Sequence, residues 1–302
     1  MPSTCCAVSE PDTSERGAVL GASAFFIWGL FPAFFGLLNF AGAVDVLAHR
    51  VVWTLVFAIA VLLVLGRIGQ LTRIGARTWG LVAAASALIT INWGTYIYGV
   101  ISGNVVECAL GYFITPLVVV VMGVVLFREK INRAQAGAVA LAVVAVVVLT
   151  IDYGHPPWLA LVLAASFASY GLVKKVVPLE PVQGLAAEGL VAAPVAVIFL
   201  VVTAAQSGPS ASTVGQWVLL IVTGPVTMLP LVLFSAAAQR VPLVTLGLLQ
   251  YITPALQMAW GVWVNHEPMP VSRWIGFGLI WAALTLFTVD SVRRMRRVPV
   301  GV

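Results

Sequence analysis

Apolar residues in this chain gather into ten runs, each long enough to cross a bilayer as a helix and separated by short polar connections. A hydrocarbon core about 30 Å thick takes about 20 residues at a helical rise of about 1.5 Å. On that measure spans are predicted near 17–38, 45–65, 78–99, 104–126, 135–151, 157–173, 182–203, 214–236, 242–264 and 272–290. The runs lack the period-two alternation of barrel strands, and lipid offers the backbone no hydrogen-bond partners. The predicted class is an all-α integral membrane protein.

The pattern is duplicated. Phe113-Ile114-Thr115-Pro116 returns 138 residues later as Tyr251-Ile252-Thr253-Pro254, and Gly123 and Glu129 return as Gly261 and Glu267 at the same offset. A weaker echo relates Trp28-Gly29 to Tyr170-Gly171 with an offset of 142, so insertions separate parts of the copies. The chain divides into a disordered tail 1–16, a five-helix repeat 17–151, a second repeat 157–290 and a basic tail 291–302. Five is odd, so the second copy enters from the opposite face, giving ten transmembrane helices as two five-helix inverted-topology repeats. Such repeats place a solute site near the midplane and allow alternating access by rocking.

Composition agrees: 61% hydrophobic and 9% charged residues with a mean hydropathy of +1.05 lie far outside the soluble range. With the N-terminus inside, fourteen of the sixteen Lys and Arg residues fall in cytoplasmic segments, Arg50 and Arg273 being the exceptions. That puts both termini in the cytoplasm and suits anionic membrane lipid rather than nucleic acid. The first sixteen residues carry no basic-then-apolar leader. Cys5, Cys6 and Cys108 lack metal-ligand spacing and the three histidines are scattered, so neither metal nor cofactor is expected. There is no GxxxxGK[ST], GxSxG or HExxH, which argues against ATP as the energy source and against an enzyme.

Chemistry must then lie in the few polar groups inside the spans, since a charge at the bilayer centre costs about 2.5–3.5 kcal/mol on translocon scales. Arg50, roughly 8 Å below the outer boundary by helical rise, is a candidate to grip a carboxylate or phosphate. Glu107, roughly 5 Å in from the same face, is its candidate ion-pair partner, with Asp45 and His49 completing an outer vestibule; the alternative is a static cluster that pins helices together. Glu188 occupies the position equivalent to Arg50 but enters from the cytoplasmic side. It either exchanges a proton as access alternates or is neutralised by Lys174 or Lys175.

Asn92, Tyr96 and Gly99 share a helix face with Trp93 alongside, and Gln250, Pro254 and Gln257 repeat that spacing, with Tyr112 the counterpart of Gln250. Asn92, Trp93, Tyr96, Tyr112, Gln250 and Tyr251 are therefore, with Arg50 and His49, candidate solute-binding residues, against the alternative that they bond and pack between helices. Pro116 and Pro254 are candidate kinks that free carbonyls toward a cavity. Glu129 and Glu267, at equivalent helix exits and followed by the capping residues Asn132 and Ser272, suggest a structural role.

The runs Ile27-Trp28-Gly29-Leu30-Phe31-Pro32, Leu47-Ala48-His49-Arg50-Val51-Val52-Trp53, Asn92-Trp93-Gly94-Thr95-Tyr96-Ile97-Tyr98 and Glu107-Cys108-Ala109-Leu110-Gly111-Tyr112-Phe113-Ile114-Thr115-Pro116-Leu117 resemble the RarD proteins. These belong to the EamA branch of the drug/metabolite transporter superfamily. Gly247-Leu248-Leu249-Gln250-Tyr251-Ile252-Thr253-Pro254 and Phe287-Thr288-Val289-Asp290 continue the match, which covers about 17–290. The resemblance implies ten helices, a bacterial inner-membrane location and secondary transport of a small organic metabolite or drug-like solute. It leaves room for a proton or another ion as coupling partner and sets no oligomeric state. The competing expectation is a lipid scramblase or a non-transporting membrane scaffold.

Overall fold

A computed structural model describes residues 11–128, 132–241 and 243–297, and among them every regular element is a helix. In order these are α1 (Pro11–Gly29), α2 (Phe31–Gly36), α3 (Ala43–Val64), a 3-10 turn (Ile68–Arg73), α4 (Ala76–Ile101), α5 (Val105–Phe127), α6 (Arg133–Tyr153), α7 (Trp158–Val176), α8 (Pro181–Ser207), α9 (Val214–Ala238), α10 (Leu243–Leu249), α11 (Ile252–Trp263) and α12 (Val271–Arg297). Nine stretches among the described residues are long and apolar enough to span a membrane, the first being Glu15–Gly36 across the α1–α2 junction. Residues 11–16 and 291–297, expected in the tails, instead extend α1 and α12. The remainder of both tails, with Cys5 and Cys6, and Glu129 lie outside the described residues.

The ninth hydrophobic run, 242–264, is the split pair α10 and α11. Its break at Gln250 and Tyr251 has a local contributor: Pro254 has no amide proton, and its ring crowds the carbonyl four residues back, that of Gln250. A second break, at Leu30, precedes Pro32, which is compatible with a helical first turn and starts α2. Pro116 does not act this way, and α5 runs unbroken through it. Inside α5 the Thr115 hydroxyl donates to the Gly111 carbonyl at 2.8 Å, whereas its counterpart Thr253 donates to the Phe25 carbonyl of α1 at 2.8 Å. The duplicated tetrapeptide thus makes a local bond in one repeat and an interhelical one in the other.

Packing follows the duplication. Helix α3 packs on α8, α5 on α11 and α6 on α12, each helix on its own repeat counterpart. The remaining large interfaces come in exchanged pairs: α1 with α9 and α4 with α7; α1 with α11 and α5 with α7; α3 with α9 and α4 with α8. Small residues let backbones approach. A Cβ on Gly111 would stand 2.8 Å from the Ala160 carbonyl oxygen of α7, and one on Gly224 2.7 Å from the Trp53 carbonyl oxygen of α3. Leu110, Phe113, Leu149, Phe277 and Ile280 fill the interior between α5, α6 and α12. Outward, Val64, Ile151, Val195 and Val214 stand exposed, as a surface solvated by lipid requires.

Candidate functional site

Arg50 lies in the second turn of α3, where the α3–α9 interface carries it into the interior at 2% exposure. Its Nε donates to the Thr227 hydroxyl of α9 at 3.0 Å, and that hydroxyl donates onward to the Thr223 carbonyl at 2.8 Å. The guanidinium carbon sits 4.1 Å from the centre of the Trp93 ring on α4, with Phe35 at 5.2 Å and Phe31 at 5.6 Å on α2. Nη1 is buried without a hydrogen-bond partner, and so is the Tyr96 hydroxyl. The Tyr96 ring stands 6.1 Å from Phe35 and 5.8 Å from Tyr112. Among the described residues no carboxylate pairs with Arg50.

Glu107, expected as that partner, is used elsewhere. From the first turn of α5 its Oε1 accepts the Leu159 amide at 2.9 Å, capping the start of α7. The N-terminus of α7 has no cap of its own, and a carboxylate there satisfies otherwise orphaned amides. Asp45 accepts a hydrogen bond from Ser210 at 3.0 Å, and the His49 ring meets Trp217 edge-on at 5.7 Å. Of the four residues expected to gather, Asp45, His49 and Arg50 lie on α3 and meet α9 or its preceding loop, and Glu107 stands apart.

Glu188 takes the neutralised form. Its carboxylate receives Lys174 Nζ at 2.8 Å and the Tyr170 hydroxyl at 3.1 Å, at 3% exposure, while Ser86 donates to its backbone carbonyl at 2.8 Å. Beside Glu188 a cavity of about 10 Å³, bordered by Thr54, Ser86 and Trp93, has room for about one water.

The polar aromatic strip on α4 and α5 divides. Trp93 stacks on Arg50, and Tyr96 packs on Phe35 beside it. Asn92 is spent on α7, donating to the Leu163 carbonyl and Ser166 hydroxyl, both at 3.1 Å, and Tyr112 donates to Asn92 Oδ1 at 3.3 Å. Gly99 is a packing position, where a Cβ would meet Cys108 Sγ at 2.2 Å. Gln250 and Tyr251 form the α10–α11 break, and Tyr251 packs toward the α5–α6–α12 interior instead of Arg50. Gln257 is buried, donating to the Trp28 carbonyl at 3.3 Å, with its own carbonyl oxygen unpartnered.

Glu267 caps a helix too. Its two carboxylate oxygens accept the Val105 and Val106 amides of α5 at 2.7 and 3.0 Å. Burial pushes this carboxyl above the ordinary carboxylate range, against the lowering effect of those amides. Asp152 binds Arg273 at 2.9 Å and also Ser272, joining the end of α6 to the start of α12.

Sequence reasoning missed Thr227, Phe31 and Phe35. The pair Thr223 and Thr227, one turn apart in an apolar helix, was a signal for the first. The phenylalanines carry none, because only the helix break at Leu30 turns α2 toward Arg50.

The model of the EamA-like transporter family matches residues 15–151 and 157–289, once per repeat. A protein RarD of Streptomyces exfoliatus is 48% identical over 287 residues, covering 94% of this chain and 91% of that one. YojE of Bacillus subtilis, described as an uncharacterized transporter, is 41% identical over 94% of this chain and 97% of its own length. A solved crystal structure covers 90% of this chain and 97% of its own, with a TM-score of 0.59 at 17% identity, and so shares the fold.

Proposed function

This chain belongs to the EamA-like transporter family, a multi-pass membrane protein built of two matching repeats, and from that premise we propose that it is a secondary active permease for a small organic solute. The observation that carries the reading is Arg50: a buried guanidinium on the first repeat, held by Thr227 of the second, with Nη1 unpartnered. A scaffold gains nothing from a buried charge with no contacting counter-ion at the seam of its halves, whereas a carrier needs a binding group there. The broken helix α1–α2 brings Phe31 and Phe35 to the Arg50 guanidinium, as discontinuous helices do around midplane sites. Buried Arg50, Asn92, Gln183, Glu188 and Gln257 point inward, which supports a carrier over a scramblase with a polar groove facing lipid.

Transport proceeds by rocking one repeat against the other. Bacterial relatives and the one-sided basic residues support the bacterial inner membrane with both termini cytoplasmic. Proton coupling falls to Glu188, where a proton would release Lys174 from its pair. Reconstitution in liposomes tests this. Solutes of each charge class are screened for flux with and without a proton gradient, expecting saturable flux of at least one class; folded protein that moves none of them would overturn the permease reading.

A further inference from the structure

Resting on the permease reading, we propose that the solute is an apolar organic monocarboxylate whose carboxylate docks end-on against Arg50, with the Tyr96 hydroxyl as a second donor. Four observations converge on that class.

The first is hydrogen-bond geometry. An arginine fork can be offered side-on, through Nε and one terminal nitrogen, or end-on, through the two terminal nitrogens. Thr227 occupies Nε at 3.0 Å and is itself oriented by its bond to the Thr223 carbonyl, so its lone pair faces the guanidinium. Side-on binding is closed, and the buried, unpartnered Nη1 marks the end-on edge as the free one.

The second is the neighbouring donor. Tyr96 rests against Phe35, the ring that also lies under the guanidinium, and its hydroxyl is buried with nothing to bond. An unpaired buried hydroxyl costs about 1–3 kcal/mol, a loss that an arriving oxygen would recover.

The third is charge. Among the described residues Glu188 is held by Lys174, Glu107 by an α7 amide and Asp45 by Ser210, so no carboxylate is in contact with the Arg50 guanidinium to act as its counter-ion. A monoanion neutralises the guanidinium. A dianion such as a phosphate monoester would leave a net negative charge in the same low-dielectric space.

The fourth is the wall. Phe31, Phe35 and Trp93 surround the cation with rings, Tyr96 packs behind Phe35, and together they offer the rest of the solute an apolar surface. Trp93 covers the guanidinium and also borders the cavity that reaches Glu188.

The test uses the full chain in lipid nanodiscs and three probes of one shape: phenylacetate, the neutral phenylacetamide, and phenyl phosphate, doubly charged above its second pKa of about 6. The readout is the thermal unfolding midpoint as a function of probe concentration. Phenylacetate alone is expected to raise it saturably, with the half-saturating concentration at least about tenfold higher in Arg50→Lys, a loss of about 1.4 kcal/mol. An equal effect of phenylacetamide, a stronger effect of phenyl phosphate, or no saturable effect of phenylacetate overturns the proposal. None of these requires a variant to fold. Vesicle flux of neutral or cationic solutes without carboxylate binding would sink the monocarboxylate class and keep the permease. Carboxylate binding without flux of any solute would sink the permease and keep the site.

Discussion

Arg50 of α3 and Thr227 of α9 are joined by a 3.0 Å hydrogen bond across the seam between the two repeats. Because the Thr227 hydroxyl donates its hydrogen bond to the Thr223 carbonyl, its oxygen is left to accept from Arg50. Thr227→Val keeps the shape and removes the acceptor, stranding Nε beside the already unpartnered Nη1. The expected result is a loss of about 1–3 kcal/mol in stability, with Thr227→Ser close to the parent. Unfolding midpoints in nanodiscs decide it; a neutral Thr227→Val would show that Arg50 is not held by this bond.

Lys174 and Glu188 make a charge pair of unequal burial, at 25% and 3% side-chain exposure. Removing the lysine strands a buried carboxylate, whereas removing the charge of Glu188 leaves a lysine that can still reach solvent. Lys174→Met is therefore expected to destabilise more than Glu188→Gln, by less than the roughly 3–5 kcal/mol of a fully buried pair. The double variant should recover part of that loss. A double-mutant cycle with no coupling would show the pair to be incidental.

Much of this architecture was legible. Hydrophobic run lengths place the spans, and the returning Ile-Thr-Pro motif marks the duplication that the exchanged packing of α1–α9 with α4–α7 reproduces. Pro254 marks the place of the α10–α11 break, but the equivalent Pro116 leaves α5 continuous, so the proline does not decide the break alone. The site was legible only residue by residue. Hydropathy flags Arg50, Glu107 and Glu188 as costly to bury, but it does not say which helix end or side chain each meets. Glu107 and Arg50 enter from the same predicted face, yet α7 starts within reach of Glu107 and takes its carboxylate. Such partnerships depend on how helices rotate about their axes, a quantity that small residues such as Gly111 and Gly224 set through packing.

Glu267 gives a pH dependence with a definite sign. Its carboxyl is held above the ordinary range by burial, so the folded chain keeps this proton at pH values where the unfolded chain, at about 4.3, has lost it. Stability from this group is fully present below the ordinary carboxylate pKa and is lost as pH rises through the elevated one. Glu267→Gln removes the titration and should flatten that part of the stability curve, measured by thermal unfolding across mildly acidic pH. An unchanged slope would assign the dependence to other groups.

Glu107 separates two accounts of the same carboxylate. Acting as a cap, it accepts the Leu159 amide at the start of α7, and Glu107→Ala should cost about 0.5–2 kcal/mol, the range for a lost helix cap. Glu107→Gln, which keeps an acceptor oxygen, should cost less. Acting as the counter-ion of Arg50, it would couple strongly to that residue, because removing either member of a buried pair strands the other. The cycle of Arg50→Lys, Glu107→Ala and the double variant distinguishes them. Independent positions should add to within about 0.3–0.5 kcal/mol. Additivity is the expected outcome, since Arg50 bonds to α9 while Glu107 bonds to α7. A coupling beyond that range would return Glu107 to the Arg50 site, and with it supply the counter-ion whose place monocarboxylate recognition requires to be free.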